Sequence, residues 1–141
     1  MHLIVYTSEF NLDNSKADIT LSNISSKAKD NNPETGITGL LFYHNQRFLQ
    51  IIEGEKQSLE DLMSIIAKDK RHRNIERLID QPIKKRGFNK WNMDAFNLDS
   101  SETLNIDELK TITAAFKANI EMDTGMLVTI YKTLLKSHAL S

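Results

Sequence analysis

The chain has 141 residues, of which 40% are hydrophobic and 26% charged, a composition typical of one globular domain rather than of a disordered chain. It contains no cysteine, which excludes disulfides, thiolate metal ligands and thiol nucleophiles. Eighteen Lys and Arg against nineteen Asp and Glu give a net charge of −1, which argues against direct binding to nucleic acid.

The first half of the chain predicts a strand, a helix and a β-hairpin. Residues 1–8 are rich in Ile, Val and Tyr, as strands are. From Ser15 to Asp30 apolar residues recur at helical spacing, and because Pro33 disfavours a helical Asn32, we expect the helix to end there. Two apolar runs, 37–43 and 47–52, then flank His44-Asn45-Gln46 and indicate a hairpin.

The second half adds a helix and two strands. Apolar residues at helical spacing over 59–66 predict the helix. Residues 74–83 predict an edge strand, because Pro82 cannot donate to a ladder, and residues 91–96 predict the last strand. Glu53-Gly54 is expected to end the hairpin strand before this second helix.

The resulting order, β-α-β-β-α-β-β, is that of a ferredoxin-like α+β fold with a mixed sheet and two helices on one face. Beyond residue 98 apolar stripes predict two C-terminal helices that could cover the open face of the sheet. We therefore expect one domain over 1–98 and a helical extension over 99–141.

Patterns that indicate catalysis or metal binding are scarce. There is no G-x-S-x-G, P-loop or G-x-G-x-x-G motif, and the four histidines lack metal-ligand spacing. No apolar run is long enough to span a membrane, and residues 1–6 lack the features of a signal peptide. The expectation is a cytoplasmic protein that is not an enzyme and that has neither a bound metal nor a membrane partner.

Two polar side chains lie within apolar strands. Alternation places Phe48, Gln50 and Ile52 on one face, so Gln50 is a carboxamide among apolar groups and needs hydrogen-bond partners. Tyr6 has a similar position on the first strand. If the first and third strands are neighbours, the two side chains can form a phenol–amide hydrogen bond. A structural glutamine and a core tyrosine explain the same pattern, so the residues alone leave their role open.

Two further features are ambiguous on their own. The basic segment 68–73 follows the second helix, where cations either complement the helix C-terminus or hold a phosphate. Trp91 and Met93 share one face of the last strand, and core packing is the usual role of such a pair.

Taken together, these segments resemble the BLUF family, blue-light sensors that use FAD. The resemblance runs from Leu3 to Phe96 and rests on IVYTS at 4–8, NN at 31–32, GITGLLFY at 36–43, RFLQIIEG at 47–54, DKRH at 69–72, Phe88 and WNM at 91–93. Each stretch alone is weak, but the ordered set is specific. Gln46, in place of the commoner hairpin glycine, and a slightly long first-helix region depart from the family pattern and affect loop geometry only.

The resemblance implies an FAD chromophore whose ring lies between the first two helices, edge-on to the sheet. The implied cofactor-binding residues are Ile24, Asn31, Asn32, Phe48, Gln50, Asp69, Arg71 and His72. The implied photoactive residues are Tyr6, Gln50, Trp91 and Met93. In this scheme Ile24 and Phe48 form apolar walls, Asn32 bonds the polar edge of the ring, and the segment 69–72 contacts the ring and the ribityl or phosphate end.

The implied mechanism is light-driven electron and proton transfer from Tyr6 through Gln50. The amide is left rotated or tautomerised, the flavin spectrum shifts slightly to the red, and the signal passes through Trp91 or Met93. Because the chain ends at Ser141, it resembles the short stand-alone members of the family, so we expect a homo-oligomer that acts on an unidentified signalling protein.

Three alternative functions are less consistent with the sequence. A small enzyme on the same scaffold, such as a phosphatase, would need an anion-cradling loop that residues 10–13 do not offer. A flavin redox enzyme would need a substrate group beside the ring. A light-independent interaction module would have no use for the set Tyr6, Gln50 and Asn32.

Overall fold

The computed structural model of the chain describes residues 1–87 and 92–97, which form five strands and two helices in the predicted order. The strands are β1 (His2–Phe10), β2 (Thr38–His44), β3 (Arg47–Gly54), β4 (His72–Pro82) and β5 (Asn92–Asn97). The helices are α1 (Ala17–Thr35), preceded by a 3₁₀ turn at Asn14–Lys16, and α2 (Lys56–Ala67). The boundary predicted at residue 98 and the C-terminal helices predicted beyond it lie outside the described residues.

The sheet has the strand order β4-β1-β3-β2-β5. All neighbours are antiparallel except β2 and β5, which are parallel. Helix α1 connects β1 to β2 and helix α2 connects β3 to β4, each crossing over one intervening strand. This is the split βαβ arrangement, so the predicted ferredoxin-like α+β class is confirmed, as is the edge position of the strand that contains Pro82.

Both helices pack on the sheet face that carries Tyr6 and Phe48. Ile4, Tyr6, Phe48 and Ile52 belong to one buried cluster with residues of α1 and α2. On the opposite face Leu3, Val5, Leu40, Phe42, Leu49 and Ile51 are buried as well. Burial on both faces explains why the strands read as nearly continuous apolar runs instead of alternating ones.

The predicted end of the first helix is wrong. Helix α1 continues through Pro33 to Thr35, five residues beyond Asp30, and stops at Gly36, which has φ +69°. The restriction that a proline places on the preceding residue is a preference and not a prohibition, and α1 continues past it. Glycine accepts the left-handed conformation that ends a helix, so Gly36 is the effective stop signal.

The predicted end of the third strand is also too early. Strand β3 continues through Glu53 to Gly54 because the buried Glu53 carboxylate has its own partners. It accepts hydrogen bonds from Thr38 Oγ1 at 3.0 Å and from the Gly87 amide at 2.9 Å. A buried carboxylate with donors on both sides is compatible with a strand interior.

The β2–β3 hairpin turns at two residues, Asn45 and Gln46, whose φ angles are +48° and +63°. Two successive left-handed residues identify a type I′ turn, which matches the twist of the flanking strands. The carbonyl of Gln46 accepts a hydrogen bond from the Phe10 amide at 2.7 Å. That contact joins the turn to the end of β1.

Candidate functional site

A cavity of about 500 Å³ lies between α1 and α2, above the helix-covered face of the sheet. Its volume falls within the ~300–1,000 Å³ that is typical of small-molecule sites. The sequence-predicted residues Tyr6, Ile24, Asn31, Phe48, Gln50, Asp69, Arg71, His72 and Met93 all line it. The structure therefore brings residues from four strands, α1 and the loop after α2 to one place.

The floor of the cavity is a line of three hydrogen-bonded side chains. Tyr6 and Gln50 are paired in register across β1 and β3, and the Tyr6 hydroxyl donates to Gln50 Oε1. Gln50 Nε2 in turn donates to the Met93 thioether sulfur at 3.1 Å. The three side chains are 3%, 4% and 1% exposed. The phenol–amide hydrogen bond predicted from the strand pattern is thus present, and Met93 extends it.

The Gln50 carboxamide retains unused hydrogen-bonding capacity. An amide offers two N–H donors and two acceptor lone pairs, and the contacts with Tyr6 and Met93 use one donor and one lone pair. Within residues 1–87 and 92–97, the second donor and the second lone pair have no partner. Buried polar atoms are normally satisfied. Since Gln50 lines the cavity, the unused capacity fits a ligand with both donor and acceptor atoms along one edge.

The environment of Tyr6 keeps its phenol protonated. Burial raises the pKa of Tyr6 far above the ordinary value, and the negative charge of Asp69 raises it further. Near neutral pH the hydroxyl therefore remains a hydrogen-bond donor to Gln50. The arrangement favours removal of the proton only if the phenol first becomes much more acidic.

Met93 occupies an unusual backbone conformation. Its φ is +58°, in the left-handed region that residues other than glycine rarely adopt, at a cost of roughly 1–3 kcal/mol. Gly39 pairs with Asn92 and Leu40 with Asp94, so Met93 is an extra residue bulged out of the β2–β5 ladder. The sequence predicted a regular strand here, and no residue-level signal distinguishes the bulge.

His72 lines the cavity with both ring nitrogens already engaged. Nε2 lies 2.7 Å from the Ile66 carbonyl and Nδ1 lies 2.8 Å from Ser8 Oγ. A carbonyl only accepts, so Nε2 carries a proton, and in the neutral ring Nδ1 accepts from the Ser8 hydroxyl. His72 therefore presents its ring, and not a free nitrogen, to the space beside Tyr6.

Asp69 and Arg71 form a compact ion pair at the rim. The Arg71 amide and Nε both lie 2.9 Å from Asp69 Oδ1, and Nη2 bonds Oδ2. These hydrogen bonds lower the pKa of Asp69 below its ordinary value and raise that of Arg71. Arg71 Nη1 has no partner among the described residues and is available to an acceptor in the cavity.

The remaining predicted residues divide into walls, rim and undescribed groups. Ile24 on α1 and Phe48 on β3 supply apolar wall surface, and Phe48 is held by edge-on contacts with Phe10 at 5.3 Å and Tyr43 at 5.6 Å between ring centroids. Asn31 is exposed at the rim. Asn32 lies within α1, but its side chain is outside the described part, as is all of Trp91.

Several residues that line the cavity were not predicted to do so. Leu62 and Ile66 were predicted only as part of the apolar stripe of the second helix, Lys68 only as part of the basic segment 68–73, and Ile65 and Lys27 had no predicted role. Ile65 is 63% exposed, on the side of α2 that a simple amphipathic helix would keep polar. An apolar arc wider than the core requires was the available signal that α2 faces a cavity.

No helix within the described ranges has the length and apolar content needed to cross a bilayer. In that same part of the chain, no three His, Asp or Glu side chains lie close enough together to hold a metal ion.

Comparison with known proteins gives consistent matches. A family model described as sensors of blue light using FAD matches residues 1–94. The photoactivated adenylate cyclase subunit beta of Euglena gracilis is 32% identical over 83 residues, which is 59% of this chain and 10% of that protein. The blue light- and temperature-regulated antirepressor BluF of Escherichia coli K12 is 31% identical over 71 residues, 50% of this chain and 18% of that protein.

A solved structure of BlsA in its photo-activated state matches with a TM-score of 0.69 and 29% identity, covering 96% of this chain and 95% of that chain. The curated cyclase subunits are much longer, and this chain spans about a tenth of their length.

Proposed function

The chain belongs to the BLUF family of blue-light sensors that use FAD, and we propose that it is a photoreceptor in which Tyr6 and Gln50 convert light into altered hydrogen bonding. The observation that carries the proposal is the line Tyr6–Gln50–Met93 at the floor of a cavity of about 500 Å³. A readily oxidised phenol there touches an amide with spare donor and acceptor capacity.

The chemistry of the cavity fits a flavin. Ile24, Phe48 and Leu62 offer apolar surface to a flat aromatic ring, while Gln50 offers a donor and an acceptor to its polar edge. The open Nη1 of Arg71 and the exposed ammonium of Lys68 lie on the α2 side, where they would meet a ribityl or phosphate group. Asn31 and Asn32 would bond the ring from the end of α1. We propose FAD as the flavin, because it is the family's named chromophore.

The protein's own residues would carry out the photochemistry. When bound, FAD supplies an excited state that is a strong oxidant. With the flavin bound, Tyr6 would lose an electron to it, and because an oxidised phenol is a strong acid, the Tyr6 proton would pass to Gln50 Oε1, the atom to which it is already hydrogen-bonded. When the electron and proton return to Tyr6, the amide is left either rotated or tautomerised, with no net oxidation of the protein.

Met93 is positioned to respond to the change in the Gln50 amide. In the structure Gln50 directs an N–H at the sulfur, and a thioether can only accept. Rotation of the amide would instead place a carbonyl oxygen against the sulfur, which replaces a weak attraction by repulsion. We propose that this change at β5, together with Trp91, is the first step of signalling to residues 99–141.

The proposed output is altered affinity for another protein. A relative is named as an antirepressor, and the family model covers residues 1–94 of this chain, which leaves the predicted helical extension as a surface for a partner. A change of about 1–3 kcal/mol in binding free energy is typical of allosteric coupling. We also propose self-association, which size-exclusion chromatography in darkness and under blue light would measure.

The deciding experiment is an absorption spectrum of the purified protein before, during and after blue illumination. We expect a flavin spectrum that shifts to the red by a small amount and recovers fully in darkness. Acid release of the chromophore followed by mass spectrometry should identify FAD. A protein that binds no flavin when it is supplied, or that holds a flavin whose spectrum does not respond, would overturn the proposal.

A further inference from the structure

We propose that Ser25 is a positioning residue that holds the Met93 thioether in front of the Gln50 amide. The inference rests on the proposed function, because it concerns the amide that light would rearrange. It assigns a task to a serine on α1 that none of the sequence patterns singled out.

The contact between Ser25 and β5 is buried and direct. The Ser25 side chain belongs to a residue that is 9% exposed, and its hydroxyl donates to the Met93 carbonyl at 2.8 Å. Met93 is the residue bulged out of the ladder with β2. A buried carbonyl displaced from a ladder needs another donor, and Ser25 supplies it.

The bulge determines which face of the sheet carries Met93. In the observed register Leu40 pairs with Asp94, and Leu41, on the cavity side, pairs with Ala95. In a regular strand, without the extra residue, Met93 itself would pair with Leu40. Paired residues point to the same face, and Leu40 points away from the helices. The bulge therefore turns the thioether toward Gln50. The left-handed φ of Met93 is energetically costly, so other contacts must stabilise this backbone conformation.

Lys29 and Asp18 on α1 also contact β5 without touching Met93. Lys29 Nζ lies 3.0 Å from Asp94 Oδ1, and Asn97 Nδ2 donates to Asp18 Oδ1 at 2.7 Å. Both are exposed to solvent, so each holds the helix against the strand only weakly. They provide a matched control, because a variant that loses Lys29 loses an α1–β5 contact but keeps the Met93 anchor.

The test compares Ser25→Ala with Lys29→Ala in the flavin-loaded full chain. We expect Ser25→Ala to slow dark recovery about threefold to tenfold, which is the effect of one lost buried hydrogen bond. Recovery slows because the Gln50 amide must bond the Met93 sulfur again, and that sulfur is no longer held in place. In darkness the side-chain amide resonances of Gln50 should also move in a ¹⁵N–¹H spectrum. Ser25→Thr, which keeps the hydroxyl, should restore both readouts, and Lys29→Ala should change neither by more than about twofold.

A second background separates positioning from general support of the helix. In Met93→Leu, which keeps the volume but removes the sulfur acceptor, adding Ser25→Ala should slow recovery no further. Equal slowing in both backgrounds would overturn the inference, as would Ser25→Ala with wild-type recovery and unmoved Gln50 resonances. Ser25→Cys, a weaker donor of similar size, should give an intermediate effect and replaces Ser25→Ala if that variant does not fold.

Failure of the proposed function would look different. A wild-type protein with no red shift would refute photoreception, whereas the Gln50 resonances need no illumination and still decide whether Ser25 positions Met93.

Discussion

Tyr6 and Gln50 lie directly opposite each other on β1 and β3, two adjacent interior strands of the sheet, and the Tyr6 phenol donates a hydrogen bond to the Gln50 amide oxygen. Neither residue depends on a loop for its position. Antiparallel pairing of β1 and β3 fixes the positions of both Cα atoms, and both side chains are buried. The phenol–amide contact that the proposed photochemistry needs is therefore built into the sheet.

Tyr6→Phe should bind flavin and lose the reversible red shift, because it removes the electron and proton donor. The lost hydroxyl leaves Gln50 Oε1 without its partner and should cost about 1–3 kcal/mol in the free energy of unfolding. Absorption under illumination and urea unfolding measure the two effects. Tyr43→Phe is the matched control: its hydroxyl bonds Asn14 away from the cavity, so it should lose stability and keep the red shift. A normal photocycle in Tyr6→Phe would disprove the donor role.

Gln50→Leu should also abolish the red shift while the chromophore remains bound. Leucine fits the buried site in size but can neither accept from Tyr6 nor donate to Met93. Light-minus-dark spectra provide the measurement, and Gln81→Leu on strand β4, outside the cavity, should behave as wild type. An unchanged shift in Gln50→Leu would show that the amide is not the relay.

Asn32→Ala and Asn31→Ala are each expected to weaken flavin binding about fivefold to tenfold, the effect of one lost hydrogen bond. Titration of the flavin-free protein with fluorescence detection gives the dissociation constants. Asn23→Ala removes an exposed asparagine from the same helix, away from the cavity, and should leave binding unchanged. If Asn31→Ala and Asn32→Ala both bound flavin with the affinity of the wild type and of Asn23→Ala, both proposed contacts would be excluded.

The raised pKa of Tyr6 predicts a loss of stability in alkali. Because the phenol ionises less readily in the folded protein than in the unfolded chain, its contribution is fully present below pH of about 10 and is lost as the pH rises above that value. The wild type should lose up to about 1.4 kcal/mol per pH unit more than Tyr6→Phe in that range. Unfolding titrations of the two proteins across this interval provide the comparison, and parallel curves would contradict the assigned burial effect.

Gly39→Ala should be severely destabilising, because an added Cβ would lie 1.9 Å from the Ile51 carbonyl oxygen on the neighbouring strand. We expect a loss above about 3 kcal/mol in the free energy of unfolding. The three nearest atoms are backbone atoms of Ile51 and Ile52, so no side-chain movement can relieve the clash. At Gly54 the nearest atom to an added Cβ is 3.3 Å away, so Gly54→Ala should be much milder. Thermal unfolding of the two variants checks the pairing of β2 with β3.

Much of the fold followed from local patterns, because alternation and helical spacing report which side of an element is buried. They placed Tyr6 and Gln50 on one face, and the order of elements made their strands neighbours. The predicted end of α1 was wrong because the restriction that Pro33 places on Asn32 is only a preference, and Gly36 is the residue that ends the helix. The bulge at Met93 could not be predicted, since it arises from the register between β5 and β2. The role of Ser25 depends on that bulge and was hidden for the same reason.

The place of β5 in the sheet gives the Met93 bulge a mechanical consequence. In the described part of the sheet β5 is bordered by β2 alone, while the strands that hold Tyr6 and Gln50 are gripped on both sides. A change in the hydrogen bonds of Gln50 would therefore reach, through Met93, a strand that has ladder hydrogen bonds on one side only. The proposed photoactive pair thus lies on strands with a neighbour on each side, the strand that would respond lies at an edge of the sheet, and the Met93 sulfur connects them.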